Sequence, residues 1–132
     1  MASARKPLRA YAEAEIHSRL AGDLRHWSLD GGAIRRVYRA NGWKGALMAA
    51  NAIGHLAETA WHHPELRVTF GRVEVRLDTH EVGGVTDRDF ELAARIEALL
   101  QWRPEVEEGA LEGPGRDPSG AYVAIDDEQK AR

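Results

Sequence analysis

The 132-residue sequence contains no cysteine. That excludes a disulfide scaffold, a thiolate metal site, iron–sulfur ligation and a cysteine nucleophile together. Long hydrophobic runs are also missing. The longest uncharged apolar stretch, Gly45 to Gly54, is rich in alanine and falls well short of the ~20 residues a spanning helix needs. The start, Met1-Ala2-Ser3-Ala4-Arg5-Lys6-Pro7, lacks the apolar segment of a secretory signal, so the expected location is cytoplasmic. Neither charge sign dominates: 18 basic and 21 acidic residues leave a formal net charge of −3. This argues against a protein whose main work is gripping phosphate backbones, so neither a nucleic acid nor a membrane is an expected partner.

What is present is ordinary for one soluble domain: 43% hydrophobic and 30% charged residues. Composition shifts at Pro104. From there the chain holds eight acidic residues against three basic ones. Gly109 to Gly120 carries four glycines and two prolines with almost nothing to bury, so it reads as a linker or irregular tail. The patch Tyr122-Val123-Ala124-Ile125 interrupts the polar run and is a candidate to dock back, on the domain or on a partner, as an extended segment. The expected organisation is a flexible N-terminus (1–10), a domain (11–103) and an acidic Gly/Pro-rich C-terminal extension (104–132).

Within the domain, Tyr11 to Leu20 is a short helix candidate. Leu24–Leu29 and Ala33–Tyr38 read as strands flanking the turn signal Asp30-Gly31-Gly32. In the second strand Ile34, Arg36 and Tyr38 share one face. Trp43 to Thr59 has helical spacing in Trp43, Ala46, Leu47, Ala50, Ile53 and Ala57. Its second apolar face, Met48, Ala49, Ala52 and Leu56, suggests a subunit interface. Leu66 to Leu77 is a hairpin, with Leu66, Val68, Phe70, Val73, Val75 and Leu77 forming one apolar side. After Gly83-Gly84, Thr86-Asp87-Arg88-Asp89 is a capping box that opens a helix reaching about Leu100. Antiparallel hairpins with three helices and no βαβ rhythm predict an α+β fold.

Three histidines stand at candidate positions: His62 and His63 before Pro64 at the end of the long helix, and His80 after the hairpin. Proline pushes the preceding residue out of the α region, so the helix ends there and the pair is expected on an exposed corner. Hairpin geometry brings His80 back toward it, and three imidazoles converging on one rim is the expectation. Imidazole titrates near neutrality and suits proton donation and abstraction. No His-x-x-x-His or Glu-x-x-His completes a ligand set, so no metal is expected. His17, His26 and His55 have no such setting. Glu58 stands one helical turn before His62. Asp89 is a capping carboxylate that joins the site if the helix start faces it. Trp27 and Trp61 could stack on a flat heterocycle, whereas Trp43 and Trp102 read as core or interface. Gly83-Gly84 lacks the spacing of a phosphate loop.

The runs Glu58-Thr59-Ala60-Trp61-His62-His63-Pro64, Arg72-Val73-Glu74-Val75, Thr79-His80 and Gly83-Gly84-Val85-Thr86-Asp87-Arg88-Asp89-Phe90-Glu91-Leu92-Ala93 resemble the pterin-4a-carbinolamine dehydratases, also called 4a-hydroxytetrahydrobiopterin dehydratases. Trp27 and the Trp43–Glu58 helix fit the same pattern, and the likeness spans about Leu20 to Leu100. It implies a four-stranded antiparallel sheet with three helices on one face, assembled as a homodimer or homotetramer. It also implies a cofactor-free dehydration of 4a-hydroxytetrahydrobiopterin to the quinonoid dihydropterin, in tetrahydrobiopterin recycling. By motif position, His62 and His80 would be the acid/base residues and His63 would hold the pterin. Glu58 and Asp89 would support the imidazoles, Trp27 would lie along the ring, and backbone around Asp78, Thr79 and Glu81 would read its edge. The sequence departs from the pattern in three places. Trp61 stands where a small polar residue is usual, Asp78 stands where a small hydroxyl residue is frequent, and the extension beyond Trp102 is long. These departures support an alternative: a non-catalytic, dehydratase-like assembly factor for Rubisco, with a protein client engaged through the extension.

Overall fold

The computed structural model describes residues 7–115 and 120–126. The expected flexible N-terminus falls largely on residues 1–6, outside the described residues. The first regular element is helix α1 (Glu13–Leu20). Just before it, Tyr11 is pinned to the start of a later helix by a 2.5 Å hydrogen bond from its hydroxyl to Asp87.

The strand expected over Leu24–Leu29 is mostly not a strand. Gly22–Leu24 forms a 3-10 turn, and β1 is only Ser28–Asp30. Leu24 and Trp27, three apart, are both buried, which one turn of helix-like chain achieves and strand alternation forbids. Gly31 and Gly32 then take φ of 59° and 84°, the left-handed pair that a two-residue hairpin turn requires. They lead into β2 (Ala33–Arg39).

Helix α2 (Gly42–Ala60), hairpin strands β3 (Glu65–Thr69) and β4 (Arg72–Leu77), and helix α3 (Asp87–Leu100) follow. The sheet is antiparallel throughout in the order β1-β2-β4-β3. Its helix-covered face carries Ile34, Tyr38, Val73, Val75 and Leu77, none with any exposed surface. The expected α+β fold with three helices on one face of a four-stranded sheet is therefore the one observed. Phe70 is the exception to the hairpin reading. It sits in the β3–β4 turn, 76% exposed, because the reversal at Phe70-Gly71 takes it off the pleat.

Helix α2 packs through Gly45, Ala46, Ala49, Ile53 and Ala57. This stripe is of smaller residues than the expected one, and it turns Trp43, Leu47 and Met48 outward at 40–51% exposure. Helix α3 starts as the sequence indicates. The Thr86 hydroxyl accepts from the Arg88 N–H, and the Thr86 N–H donates to Asp89.

The C-terminal extension is not detached from the domain. Pairing with β1 covers only Ala33–Arg35 of β2, so the edge beyond is left open. Residues 120–126 fill it: Val123 lies opposite Ala40, and the Ala124 N–H donates to the Arg39 carbonyl at 2.9 Å. The segment crosses α2 at Gly45, where a Cβ would sit 2.7 Å from the Tyr122 carbonyl oxygen. Beyond it Asp126 meets Arg36, which is 3% exposed. Arg36 also donates to Glu97 at 2.6 Å, and Glu97 accepts from the Tyr38 hydroxyl (2.6 Å) and the Trp27 indole (3.0 Å). Burial works against the Arg36 charge, but the bonds to Glu97 and Asp126 outweigh it and hold its pKa above the ordinary value. Burial and the Glu97 charge push the Tyr38 hydroxyl upward. Residues 120–126, beyond the 103/104 boundary expected from the sequence, thus pack against the sheet edge.

Candidate active site

The end of α2 builds one side of the site. Trp61 closes the helix in the left-handed region (φ 54°, ψ 48°), a conformation usually left to glycine or asparagine at helix ends. The His62 N–H reaches back to the Ala57 carbonyl at 3.1 Å. Pro64 then directs the chain into β3. The other side is the exit from β4, where the buried Leu77 and Thr79 bracket Asp78. The Thr79 N–H donates to the Gly84 carbonyl at 2.7 Å, and a 3-10 turn over His80–Val82 follows.

These two stretches meet through Asp89, which has no exposed surface. One carboxylate oxygen accepts from the Thr79 hydroxyl (2.8 Å) and the Thr86 N–H (2.9 Å), and the other meets His62 Nε2 at 2.6 Å. Thr86 in turn bonds the Thr79 hydroxyl at 2.8 Å. An ionised carboxylate only accepts hydrogen bonds, so His62 Nε2 carries the proton and Nδ1 is the ring nitrogen left for proton exchange. The start of α3 adds a favourable partial positive charge for the Asp89 carboxylate.

His63 is held differently. Its Nε2 lies 3.0 Å from Glu58, and its ring meets the Trp61 indole edge-on, with centroids 4.9 Å apart and planes at 83°. His80 is almost fully exposed, with Nε2 4.0 Å from an Asp78 oxygen.

The expected convergence is realised in part. A cavity of about 410 Å³ is lined by Ala33, His63, Pro64, Glu65, Arg76, Asp78 and His80. His62 is not on it. Its side chain, 10% exposed rather than at an open corner, borders a neighbouring hollow of about 510 Å³ with Trp61, Glu81, Arg88, Leu92 and Arg95 among its walls. Each hollow draws on both stretches, 60–65 and 78–81, so the three imidazoles occupy one corner of the fold on two sides. Burial of Asp89 turns His62 inward while Glu58 turns His63 outward. Glu81 faces Arg88 at 3.0 Å, and a backbone hydrogen bond together with that guanidinium holds its carboxyl below the usual range.

Trp27 lies elsewhere. It is 3% exposed, among the core side chains beside Glu97, and does not line either hollow. His17 and His55 are exposed, and His26 lies 3.8 Å from Asp126. Arg76 and Glu65 escaped the sequence reading. Strand parity was the available signal for Arg76, which stands two residues before Asp78 and so shares its side of β4. Among the described residues, no three His, Asp or Glu side chains gather as a metal site.

This sheet and histidine corner beside a buried carboxylate define an α+β protein with a candidate acid/base site, and the comparisons bear on its family. The family model described as pterin 4 alpha carbinolamine dehydratase matches residues 9–99. A provisionally named pterin-4-alpha-carbinolamine dehydratase of Aquifex aeolicus is 39% identical over 94 residues, 71% of this chain and 94% of that one. A relative with the same provisional name from Haloarcula marismortui is 41% identical over 88 residues, 67% of this chain and 92% of its own. A solved structure from Brucella melitensis, titled transcriptional coactivator/pterin dehydratase, superposes with a TM-score of 0.63 at 31% identity. It covers 69% of this chain and 98% of that one. The chain belongs to the pterin-4a-carbinolamine dehydratase family. The segment 120–126 lies beyond the match.

Proposed function

We propose that this protein dehydrates 4a-hydroxytetrahydrobiopterin, or a close pterin relative, to the quinonoid dihydropterin by imidazole acid/base chemistry, in tetrahydrobiopterin recycling. The observation that carries the reading is the corner itself. His63 and His80 line a cavity whose volume lies in the range of small-molecule sites, and His62 stands beside them with its tautomer set by Asp89. In the elimination an imidazolium gives its proton to the C4a hydroxyl and the C4a–O bond breaks. Water leaves, and a neutral imidazole takes the proton of a ring nitrogen as the C4a=N double bond forms. The balance is loss of one water, with both imidazoles exchanging protons with solvent afterwards. No cofactor is needed.

His80, exposed on the cavity, and His62, on the neighbouring hollow with Nε2 held by Asp89, are the acid/base pair, so the substrate must reach from one hollow to the other. His63, fixed by Glu58 and Trp61, holds the ring system. Asp78 borders its edge within the cavity, Glu81 and Trp61 line the neighbouring hollow with His62, and Thr79, with no exposed surface, acts from behind through Asp89. Trp27 acts from the core rather than as a stacking surface. The outward Trp43, Leu47 and Met48 of α2 support a homo-oligomer, dimer or tetramer. No helix among the described residues is long and apolar enough to cross a membrane, and the reaction suits the cytoplasm. The reading is tested by adding purified protein, below substrate concentration, to chemically generated 4a-hydroxytetrahydropterin and following the absorbance of the quinonoid product. Catalytic acceleration is expected. A rate equal to the uncatalysed one overturns it.

One observation favours the second reading, a client-binding protein of the Rubisco-assembly kind. Trp102, just before the extension, and Val106 and Leu111 on it are 53–66% exposed, a surface a protein client would cover. Loss of client assembly on replacing all three by alanine, in a protein without dehydratase activity, would favour it.

A further inference from the structure

We propose that the acidic extension of one copy, over residues 105–112, docks on an arginine-bearing end of the open sheet face of a second copy. This salt-sensitive contact is additional to the outward face of α2. It rests on neither functional reading above, and the extension lies beyond the family match at 9–99.

Strand register sets the receiving surface. Tyr38 and Val73 point into the core with no exposed surface, so Arg39 and Arg72, next to them in β2 and β4, point to the uncovered face. The two arginines stand directly opposite each other, and both are exposed. Like charges in that position destabilise a sheet. The other facing pair, Arg35 and Arg76, is offset: Arg35 meets Glu74 at 3.1 Å, and Arg76 meets Asp30 at 2.7 Å and Glu65 at 3.6 Å. Neither Arg39 nor Arg72 meets a carboxylate among the described residues. Exposed aromatic rings adjoin them. The Ala40 N–H donates to the Gly71 carbonyl at 2.9 Å and the Gly71 N–H to the Gly42 carbonyl at 3.2 Å. Phe70 lies over Gly42, where an added Cβ would stand 3.7 Å from its ring. Phe70 is 76% exposed and Trp43 51%, so two uncompensated guanidinium groups sit beside two uncovered rings.

The extension carries the complement. In Glu105-Val106-Glu107-Glu108-Gly109-Ala110-Leu111-Glu112, Val106 is 66% exposed and Leu111 61%. Glu107, Glu108 and Glu112 are exposed and meet no cation among the described residues. Within its own chain the segment is held away from the arginines. Arg103 pairs with Glu105 at 3.1 Å, and α3, from which the segment leaves, packs on the face of the sheet opposite Arg39 and Arg72. A second copy brings the two surfaces together. Carboxylates then accept charge-assisted bonds from the guanidinium groups, and Val106 and Leu111 cover Phe70 and Trp43. An acidic client or a nucleic acid would answer the charges alone, whereas the chain itself supplies both the charges and the apolar side chains.

The test is sedimentation velocity on the full chain, over a concentration series, in about 0.1 M and about 1 M salt, where the Debye length falls from ~10 Å to ~3 Å. The wild type is expected to associate beyond its basal oligomer at the lower salt, with a Kd about tenfold or more weaker at the higher. Arg39→Glu with Arg72→Glu, and Glu107→Arg with Glu108→Arg, should each abolish that association, because each makes the two surfaces alike in sign. An equimolar mixture of these double variants should restore it, since the unaltered extension of the first meets the unaltered arginines of the second. Circular dichroism checks folding. Should a reversal fail to fold, Arg39→Gln with Arg72→Gln is expected to weaken association by about fivefold or more. Association that ignores salt, survives substitution of the arginines in a folded variant, or stays absent from the mixture overturns the proposal. A wild type that does not self-associate but binds a polyglutamate peptide or a single-stranded oligonucleotide through the arginines overturns it as well.

Discussion

Removing the Asp89 carboxylate should loosen the fold and the site together, and the structure fixes the size of the effect. Asp89→Ala leaves the Thr79 hydroxyl and the Thr86 N–H without their buried acceptor and frees His62 Nε2. Each orphaned buried group costs about 1–3 kcal/mol. The helix start also loses an anion worth about 0.3–1 kcal/mol. Because the Thr79 and Thr86 hydroxyls remain 2.8 Å apart and can partly satisfy each other, the total is about 3–5 kcal/mol. For a domain of this length that lowers Tm by roughly 10–20 °C. Asp89→Asn keeps the volume and one acceptor, so its cost is about 1–2 kcal/mol. Its amide, however, must donate to His62 Nε2, which moves the ring proton to Nδ1. Scanning calorimetry measures the first effect and ¹⁵N imidazole shifts the second. Dehydration should fall by about 100-fold or more in both variants. An Asp89→Ala protein that melts within about 2 °C of wild type, or an Asp89→Asn protein whose His62 proton stays on Nε2, would refute this role of the hydrogen bonds to Asp89.

Other consequences are independent of that one. Gly45→Ala should displace residues 120–126, because the added Cβ meets backbone at 2.7 Å. Faster amide exchange at Ala124 and Asp126 is the readout, and unchanged protection would contradict the docking. Asp126→Ala strips a carboxylate from the buried Arg36 and should cost about 1–3 kcal/mol by chemical denaturation, with Glu97 remaining as partner. Trp61→Gly relieves a bulky left-handed residue and should stabilise the fold by up to about 1 kcal/mol while weakening pterin binding, because His63 loses its edge contact. On the open sheet face, Arg35 holds the Glu74 carboxyl below its ordinary value of 4.5. That pair's contribution is therefore complete above the ordinary value and is lost as pH falls through the folded one. NMR titration should show Glu74 protonating at lower pH than in Arg35→Gln.

The fold was legible wherever local chemistry and tertiary demand agree. The Thr86–Asp89 capping box, the Gly31-Gly32 turn and the alternation of Val73, Val75 and Leu77 each mean the same thing in isolation and in the folded chain. The failures share a cause, which is partners far away in sequence. Leu24 and Trp27 are pulled inward by α3, which overrides their strand-like setting. Trp43 and Leu47 match a helical stripe, yet the smaller Gly45 and Ala49 win the buried face because the sheet and residues 120–126 come close there. The docking of residues 120–126 depends on an edge left open by the shortness of β1, which no periodicity reports. At the site, the residue types and their spacing were readable, including the Glu58 and Asp89 supports. Which imidazole faces which hollow was not, since that is set by Asp89 lying buried 27 residues from His62 and by Glu58 lying exposed.

The most direct measurement compares the dehydration rate of 4a-hydroxytetrahydropterin for the wild type, for His62→Ala and His80→Ala singly, and for the double variant, each checked for retained melting temperature. The account predicts clear acceleration by the wild type, a partial loss in each single variant and a rate indistinguishable from the uncatalysed reaction in the double variant. A folded double variant that keeps the wild-type rate would contradict it.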